Sequence, residues 1–368
     1  MNNQKIDFII AYNQERAFQE CVFYIEQLNV PDGYEIGLLS ISEGTSMAAA
    51  YNVAMAASDA KYKVYLHQDL FIWNRDFISD ILGIFQSNED IGMIGVLGGV
   101  RLPTNGVYFT AWNIGRVKAD NAFNPLEVNL NTASYYDQVE AIDGMIMITQ
   151  YDVPWREDLF QEWDFYDASQ SFEFRRRGHL IVVPHQKESW CMHDCGPSKL
   201  KNYDKNRAIF VREYIKEDVD DNTMDISVHQ PGKMAKMDEI CERFARLIDA
   251  RQFEAVEGII KGLPDDFFYL GELSVMRIVF EIHALEKSDE ERDYGFFVDS
   301  CDSWDALLQL YREIRYLLRR LEQGHTGREH IEPILTMCYE KKLSMLALYV
   351  IARHTLFEWE KVLALLMR

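Results

Sequence analysis

Three short stretches carry side chains able to hold a cation or move a proton. The first is His67-Gln68-Asp69, which ends the apolar run KVYL. A carboxylate delivered to the carboxyl end of a buried strand is well placed to bind a metal beside a charged ligand; capping the next turn would use the same residue type. The second is EWDFYD at 162–167, ahead of ASQSFEFRRRG. Asp167 falls where a helix N-cap belongs, and a carboxylate held there, facing the ligand edge of a sheet, can act as a general base. Asp164 and Glu162 compete for that role. The third is WCMHDCG at 190–196. Cys191, His193, Asp194 and Cys195 are zinc-ligand types, but their spacing matches no common structural site and no second Cys or His pair lies close in sequence. A single His ligand to another metal fits better, and a structural histidine is the simplest use of His193.

A fourth, weaker set is Tyr12, Asn13, Ser42, Glu43 and Asn52, each at a strand end or on a helix lining that edge. Glu43-Gly44 lacks the glycine spacing of a dinucleotide fold or a P-loop. The acidic run EDVDDNTMD at 217–225 lacks the ligand spacing of a calcium loop.

The elements that must place these residues alternate. Apolar, β-branched runs at 6–11, 34–41, 63–66, 91–97 and Leu180–Pro184 predict strands. Helical spacing occupies 14–28, 46–58, 76–86 and 167–177, with Gly178 as a stop. Residues 139–149 predict a strand broken at Asp143-Gly144, and 100–140 predict loops and short strands. This order predicts an α/β fold with an open, mostly parallel sheet and helices on both faces, which binds ligands beyond the carboxyl ends of its strands. Beyond Met234 strand signals stop. Helical patterns at 236–261, 271–287, 303–322, 329–341 and 343–366 predict an all-helical part. The expected division is a domain over 1–215, an acidic linker over 216–235 and a helical accessory domain over 236–368.

The net charge of −21 falls mostly before residue 232, where it reaches −15. Such a surface repels nucleic acid, and an anionic substrate would need a cation to approach it. Six scattered cysteines make no disulfide framework. The N-terminus does not read as a signal peptide, and no apolar run reaches the ~20 residues of a membrane span, so a cytoplasmic protein is expected. In the segment YREIRYLLRRL at 311–321, Arg312, Arg315, Arg319 and Arg320 stand beside Ile314, Leu317, Leu318 and Leu321. It could rest on an anionic membrane; a core helix with a solvated basic face is the simpler expectation. Oligomerisation through this part is a further use of the helices.

Taken together, FIIAYN, SMAAAYNVAMAAS leading into YLHQDLFI, IGMIGVLGG, AIDGMIMIT and FYDASQSFEFRRRGHLIVV followed by His193 resemble glycosyltransferase family 2, in the branch that includes StrF-like proteins, over about residues 7–214. The resemblance implies a GT-A fold and transfer of a sugar, hexosyl in type, from a nucleoside-diphosphate donor such as a UDP-sugar, with inversion. The acceptor hydroxyl would belong to a glycan, a lipid-linked sugar or a protein. The triplet His67-Gln68-Asp69 would stand at the family's Asp-x-Asp motif, with Asp69 as its last carboxylate and His67 replacing the first. Asp69 and His193, with His67, would hold Mn²⁺ or Mg²⁺. Asp167 would match the Asp of a Glu-Asp pair as catalytic base, with Tyr166 in place of the Glu. Tyr12, Asn13, Glu43, Asn52 and Gln68 would fall on the nucleotide side, and Asp143 and Gly144 on the acceptor side. The competing expectation is an inactive GT-A-like module that binds a nucleotide sugar or a protein, favoured by His67 and Tyr166. A nucleotidyltransferase would want a Gly-rich basic loop, which Asn13-Gln14-Glu15 does not supply.

Overall fold

The computed structural model describes residues 1–108, 111–119, 135–194, 202–215, 239–240, 242–262, 303–340 and 364. The strands are β1 (Asn2–Ala11), β2 (Glu35–Ile41), β3 (Ala60–His67), β4 (Leu70–Ile72), β5 (Ile91–Ile94), β6 (Leu97–Gly99), β7 (Ile114–Gly115), β8 (Lys118–Ala119), β9 (Tyr136–Val139), β10 (Ala141–Ile142), β11 (Ile146–Thr149), β12 (Leu180–Pro184) and β13 (Cys191–His193). The helices are α1 (Glu15–Ile25), α2 (Met47–Ala57), α3 (Phe77–Ser87), α4 (Tyr166–Arg176) and α5 (Tyr203–Phe210), the last running into a π-helical turn at Val211–Ile215. Later come α6 (Phe253–Gly262), α7 (Trp304–Glu322) and α8 (Arg328–Glu340). The chain forms two compact units, the first built from its N-terminal part and the second from the described residues beyond 238.

The first unit is an α/β fold around a seven-stranded sheet of order β2-β1-β3-β11-β5-β12-β9. The pairings run β2, β1, β3, β5 and β12 in one direction, with β11 and β9 reversed. The sheet is therefore mixed but mostly parallel, as the alternation of strands and helices predicts. Residues Ile6–Ala11 of β1 are all buried, because helices cover both faces. Ile9, Tyr65, Met147 and Ile181 pack with Tyr51 of α2 and with Tyr166 and Phe174 of α4. On the opposite pleat, Phe8 meets Phe77 and Tyr62 meets Phe85, both from α3. Helix α2 is apolar almost all round, and its one marked start signal is Ser46, whose hydroxyl accepts the Ala49 amide at 3.2 Å.

Two three-stranded sheets flank the large one. In one, β10 and β7 pair with β6; in the other, β13 pairs antiparallel with β4 and parallel with β8. Residues 191–193 form a strand that the sequence pattern does not predict, since three residues are too few to show a period.

In the second unit no strand occurs among the described residues. The expected linker at 216–235 and the expected helix at 271–287 lie outside the described residues, as does nearly all of 343–366. Helix α7 buries Leu310, Ile314, Leu317, Leu318 and Leu321. Arg319 is fully buried as well, and Arg312, Arg315 and Arg320 are half-buried. Arg319 thus departs from the expected solvated basic face, while the other three arginines stay partly exposed. No helix among the described residues is long and apolar enough to cross a membrane.

Ile148 sits in β11 between Val64 and Ile94 and is fully buried. Ile148→Ala should cost about 2–5 kcal/mol and Ile148→Val about 0.5–1.5; chemical denaturation of the two variants checks both the size and the order.

Candidate functional site

The site forms at the carboxyl end of β3. His67 is the last residue of that strand, and Gln68-Asp69 turns the chain into β4. Pairing of β13 with β4 sets His193 opposite Leu70, and the Asp194 amide donates to the Asp69 carbonyl at 2.9 Å. Sheet register thus carries His193 back across 126 residues to a position 3.2 Å from His67, measured from Nε2 to Nδ1. His193 Nε2 also lies 3.4 Å from Asp69 Oδ1.

Each of these three residues offers a ligand atom, and the atoms lie within 4.8 Å of one another. One nitrogen, His193 Nε2, faces both a second imidazole nitrogen and a carboxylate oxygen, so a single N–H cannot serve both well. A cation among the three would use every lone pair. Burial, and then the neighbouring His193, push the His67 pKa down, which keeps the ring neutral and able to ligate. Burial opposes ionisation of Asp69, but the hydrogen bond and charge of His193 outweigh it and bring the carboxyl to about 2. The donor set fits a divalent metal. Cys191 stands outside the cluster, and burial pushes its thiol well above the usual range, away from the thiolate zinc would need; Cys195 lies outside the described residues.

A short crossing connects this cluster to Asp167. The His67 amide donates to the Met145 carbonyl at 3.0 Å, and the Gly144 amide donates to Asp167 Oδ2 at 3.0 Å. Asp143 accepts the Met145 amide on its own Oδ1. Asp167 also accepts the Ala168 amide, at 2.8 Å. Asp167 is not the N-cap of α4, as the sequence suggests, but its second residue. The cap is Phe165, in the left-handed region at φ 65° with no side-chain cap bond. For a bulky residue that backbone costs about 1–3 kcal/mol. It is retained by aromatic packing of Phe165 against Tyr108, Tyr203 and Phe210. The shift by two residues turns both Tyr166 and Asp167 inward. Tyr166 Oη lies 2.5 Å from His67 Nε2.

Burial and the nearby Asp143 push the Asp167 carboxyl up to about 7, against the pull of its two amide donors. Of its competitors, Glu162 is engaged by Lys205 at 2.9 Å. Asp164 is raised by burial and by Glu162, and it stands outside the cluster of His67, Asp69 and His193.

The expected nucleotide-side residues separate into two kinds. Gln68 Oε1 accepts the amides of Asn13 and Gln14 at 2.9 and 2.8 Å, and its Nε2 donates to Asn13 Oδ1. It shapes the loop after β1 beside Asp69. In that loop Tyr12 stacks on Phe18 with centroids 4.2 Å apart. Asn52 is a clamp, giving Nδ2–H to the Trp155 carbonyl and accepting the Trp155 amide. Glu43 and Ser42 stay in the turn after β2, with Glu43 exposed. The role of Tyr166 was hidden in the sequence, since nothing local links it to His67, 99 residues away.

The model of a glycosyltransferase-like family matches residues 7–214. No curated protein matches. Among solved structures, Staphylococcus aureus TarS is similar at 10% identity and a TM-score of 0.37, over 77% of this chain and 53% of that one, so the chain spans about half the length of that protein. TarS 1–349 in complex with UDP-GlcNAc is similar at 11% identity and 0.38, over 93% of each chain. The mannosyltransferase PcManGT from Pyrobaculum calidifontis in complex with GDP-Man and Mn²⁺ is similar at 10% identity and 0.37, over 97% of this chain and 88% of that one.

A Cβ at Gly144 would overlap the Tyr166 hydroxyl and stand 2.9 Å from Asp167 Cβ. Gly144→Ala should lower stability by about 1–3 kcal/mol through overpacking. Gly258→Ala, on an open helix surface, should be neutral or slightly stabilising; paired thermal melts check the contrast.

Proposed function

The chain belongs to this glycosyltransferase-like family, and from that premise we propose that it moves a sugar from a nucleoside-diphosphate donor, UDP-linked in the first instance, to an acceptor hydroxyl with metal assistance and inversion. The observation that carries the reading is the meeting of His67, Asp69 and His193 at the same sheet end as Asp167, joined to it by the backbone of residues 143–145. Placement in the StrF-like branch rests on the His67-Gln68-Asp69 triplet. All the residues invoked fall within 1–215, which we take as the catalytic domain.

A divalent cation on Asp69, His193 and His67 would neutralise the charge that grows on the departing diphosphate. The chain's own groups do the rest. The loop of Asn13 and Gln14, held by Gln68, lies beside Asp69 on the donor side, with Tyr12 as an aromatic face there. Asp167 accepts the proton of the acceptor hydroxyl while that oxygen bonds to the anomeric carbon and the bond from that carbon to the diphosphate oxygen breaks. One displacement inverts the configuration. A carboxylate whose pKa is raised to about 7 is a stronger base than an exposed one and is still ionised just above neutrality.

Three measurements test this. Asp167→Asn keeps the shape and one acceptor oxygen but cannot take a proton at neutral pH; transfer should fall by about 10² or more with donor binding kept. Wild-type transfer should rise with pH through about 7 and then level, because Asp167 must be ionised to act; a rate independent of pH from 5.5 to 8.5 would move the base elsewhere. Calorimetry should show UDP binding strengthened by Mn²⁺, and Asp69→Ala should remove that gain; equal affinity with Mn²⁺ and with EDTA refutes the metal assignment.

A further inference from the structure

The two positions that depart from the family pattern meet in the folded chain. By the resemblance His67 would stand for an Asp and Tyr166 for a Glu, and their side chains lie 2.5 Å apart, Nε2 to Oη. Three features seat that hydroxyl. Gly144 leaves the space it occupies, the left-handed Phe165 turns Tyr166 inward, and Tyr51 and Trp155 border its ring at centroid distances of 6.1 and 6.2 Å.

A hydroxyl both donates and accepts. Tyr166 can therefore bond His67 in either tautomer. It donates to Nε2 when Nδ1 carries the hydrogen and points it at His193. It accepts from Nε2 when the hydrogen sits there, which leaves the Nδ1 lone pair facing His193 Nε2 and Asp69 Oδ1. An ionised Glu at the same place could only accept.

We propose that Tyr166 positions His67 as a nitrogen ligand, and that the resulting set of two imidazoles and one carboxylate binds a first-row transition cation in preference to Mg²⁺. The proposal rests on the metal-assisted reading above and adds the residue that sets the cation's identity. A hydrogen bond to the remote nitrogen of a ligating histidine fixes the ring and raises its basicity. Mg²⁺ prefers oxygen ligands and sheds water reluctantly, whereas imidazole suits softer ions and affinity rises along the series from Mn²⁺ through Co²⁺. Replacing the family's first Asp by His67 therefore moves the site away from Mg²⁺, and Tyr166 in place of Glu is the partner that makes the replacement rigid.

The test titrates the EDTA-stripped full chain with Mn²⁺, Co²⁺ and Mg²⁺, alone and with UDP, by calorimetry, with the visible spectrum of Co²⁺ as a report on nitrogen ligation. The wild-type chain should bind Mn²⁺ and Co²⁺ at least about tenfold more tightly than Mg²⁺. Tyr166→Phe removes only the hydroxyl; it should weaken Co²⁺ and Mn²⁺ about 10- to 100-fold, the usual loss for such a partner, and alter the Co²⁺ spectrum, while Mg²⁺ affinity moves less. Wild-type affinities and spectrum in a folded Tyr166→Phe chain overturn the proposal. If that variant melts early, His67→Asp decides: a shift of preference toward Mg²⁺ supports the assignment and an unchanged preference overturns it. Equal wild-type affinity for Mg²⁺ and Mn²⁺ overturns this proposal but leaves the metal reading standing, whereas a chain that binds none of the three cations removes both.

Discussion

The site depends on one backbone crossing, in which the Met145 carbonyl accepts the His67 amide and the Gly144 amide donates to Asp167. These two bonds connect the end of β3 to the first turn of α4, elements that are far apart in sequence. Antiparallel β11 makes the crossing, since Ile146 pairs with Leu66 and the residues just before it must pass the carboxyl end of β3. A parallel strand in that place would begin at the other end of the sheet and leave Asp167 without its Gly144 donor. Gly144 adds a steric requirement to a hydrogen-bonding one, because the Tyr166 hydroxyl fills the place its side chain would take.

The same arrangement drives two carboxylates, half-buried Asp69 and buried Asp167, to opposite charge preferences. Burial opposes ionisation of both. Asp69 faces two imidazoles and is drawn down to about 2, so it stays charged and suits a cation. Asp167 faces another carboxylate, Asp143, and rises to about 7 despite two amide donors. Neighbouring charge decides the outcome in each case, and titratable groups whose environments push their pKa values apart mark an acid–base assignment. In a region carrying most of the chain's negative charge, a cation on the Asp69 side would also ease the approach of an anionic donor.

Much of this was legible in the sequence. The β1–α1–β2–α2–β3 alternation was clear because buried β1 and β3 leave near-continuous apolar runs and edge strand β2 still carries an apolar one, and helices α2 and α3 differ by a residue or two from their periodic patterns. Asp69, His193 and Asp167 could be singled out as chemically able residues. What could not be read were relations set by long-range register: the pairing of β13 with β4, which brings His193 to Asp69, and the contact between Tyr166 and His67. The cap of α4 was misplaced because Asp is a common cap type, whereas the actual cap, Phe165, is held in a left-handed conformation by aromatic packing rather than by propensity. The burial of Arg319 was equally invisible, since an Arg on an amphipathic helix is usually read as solvated.

These costs bear on whether the two departures signal a lost site. A left-handed Phe165 spends about 1–3 kcal/mol of stability, and an Asp167 raised to about 7 is a buried acid that ionises against its surroundings. Phe165 is held by aromatic packing and Asp167 accepts the Gly144 and Ala168 amides, so folding accounts for part of both costs. A decayed site would also leave polar groups stranded, at about 1–3 kcal/mol each. Instead His67, His193, Asp69, Tyr166 and Asp167 all have partners, and the two unusual residues partner each other. The strain is concentrated where Tyr166 and Asp167 turn inward, and that placement speaks for a working site rather than a relic.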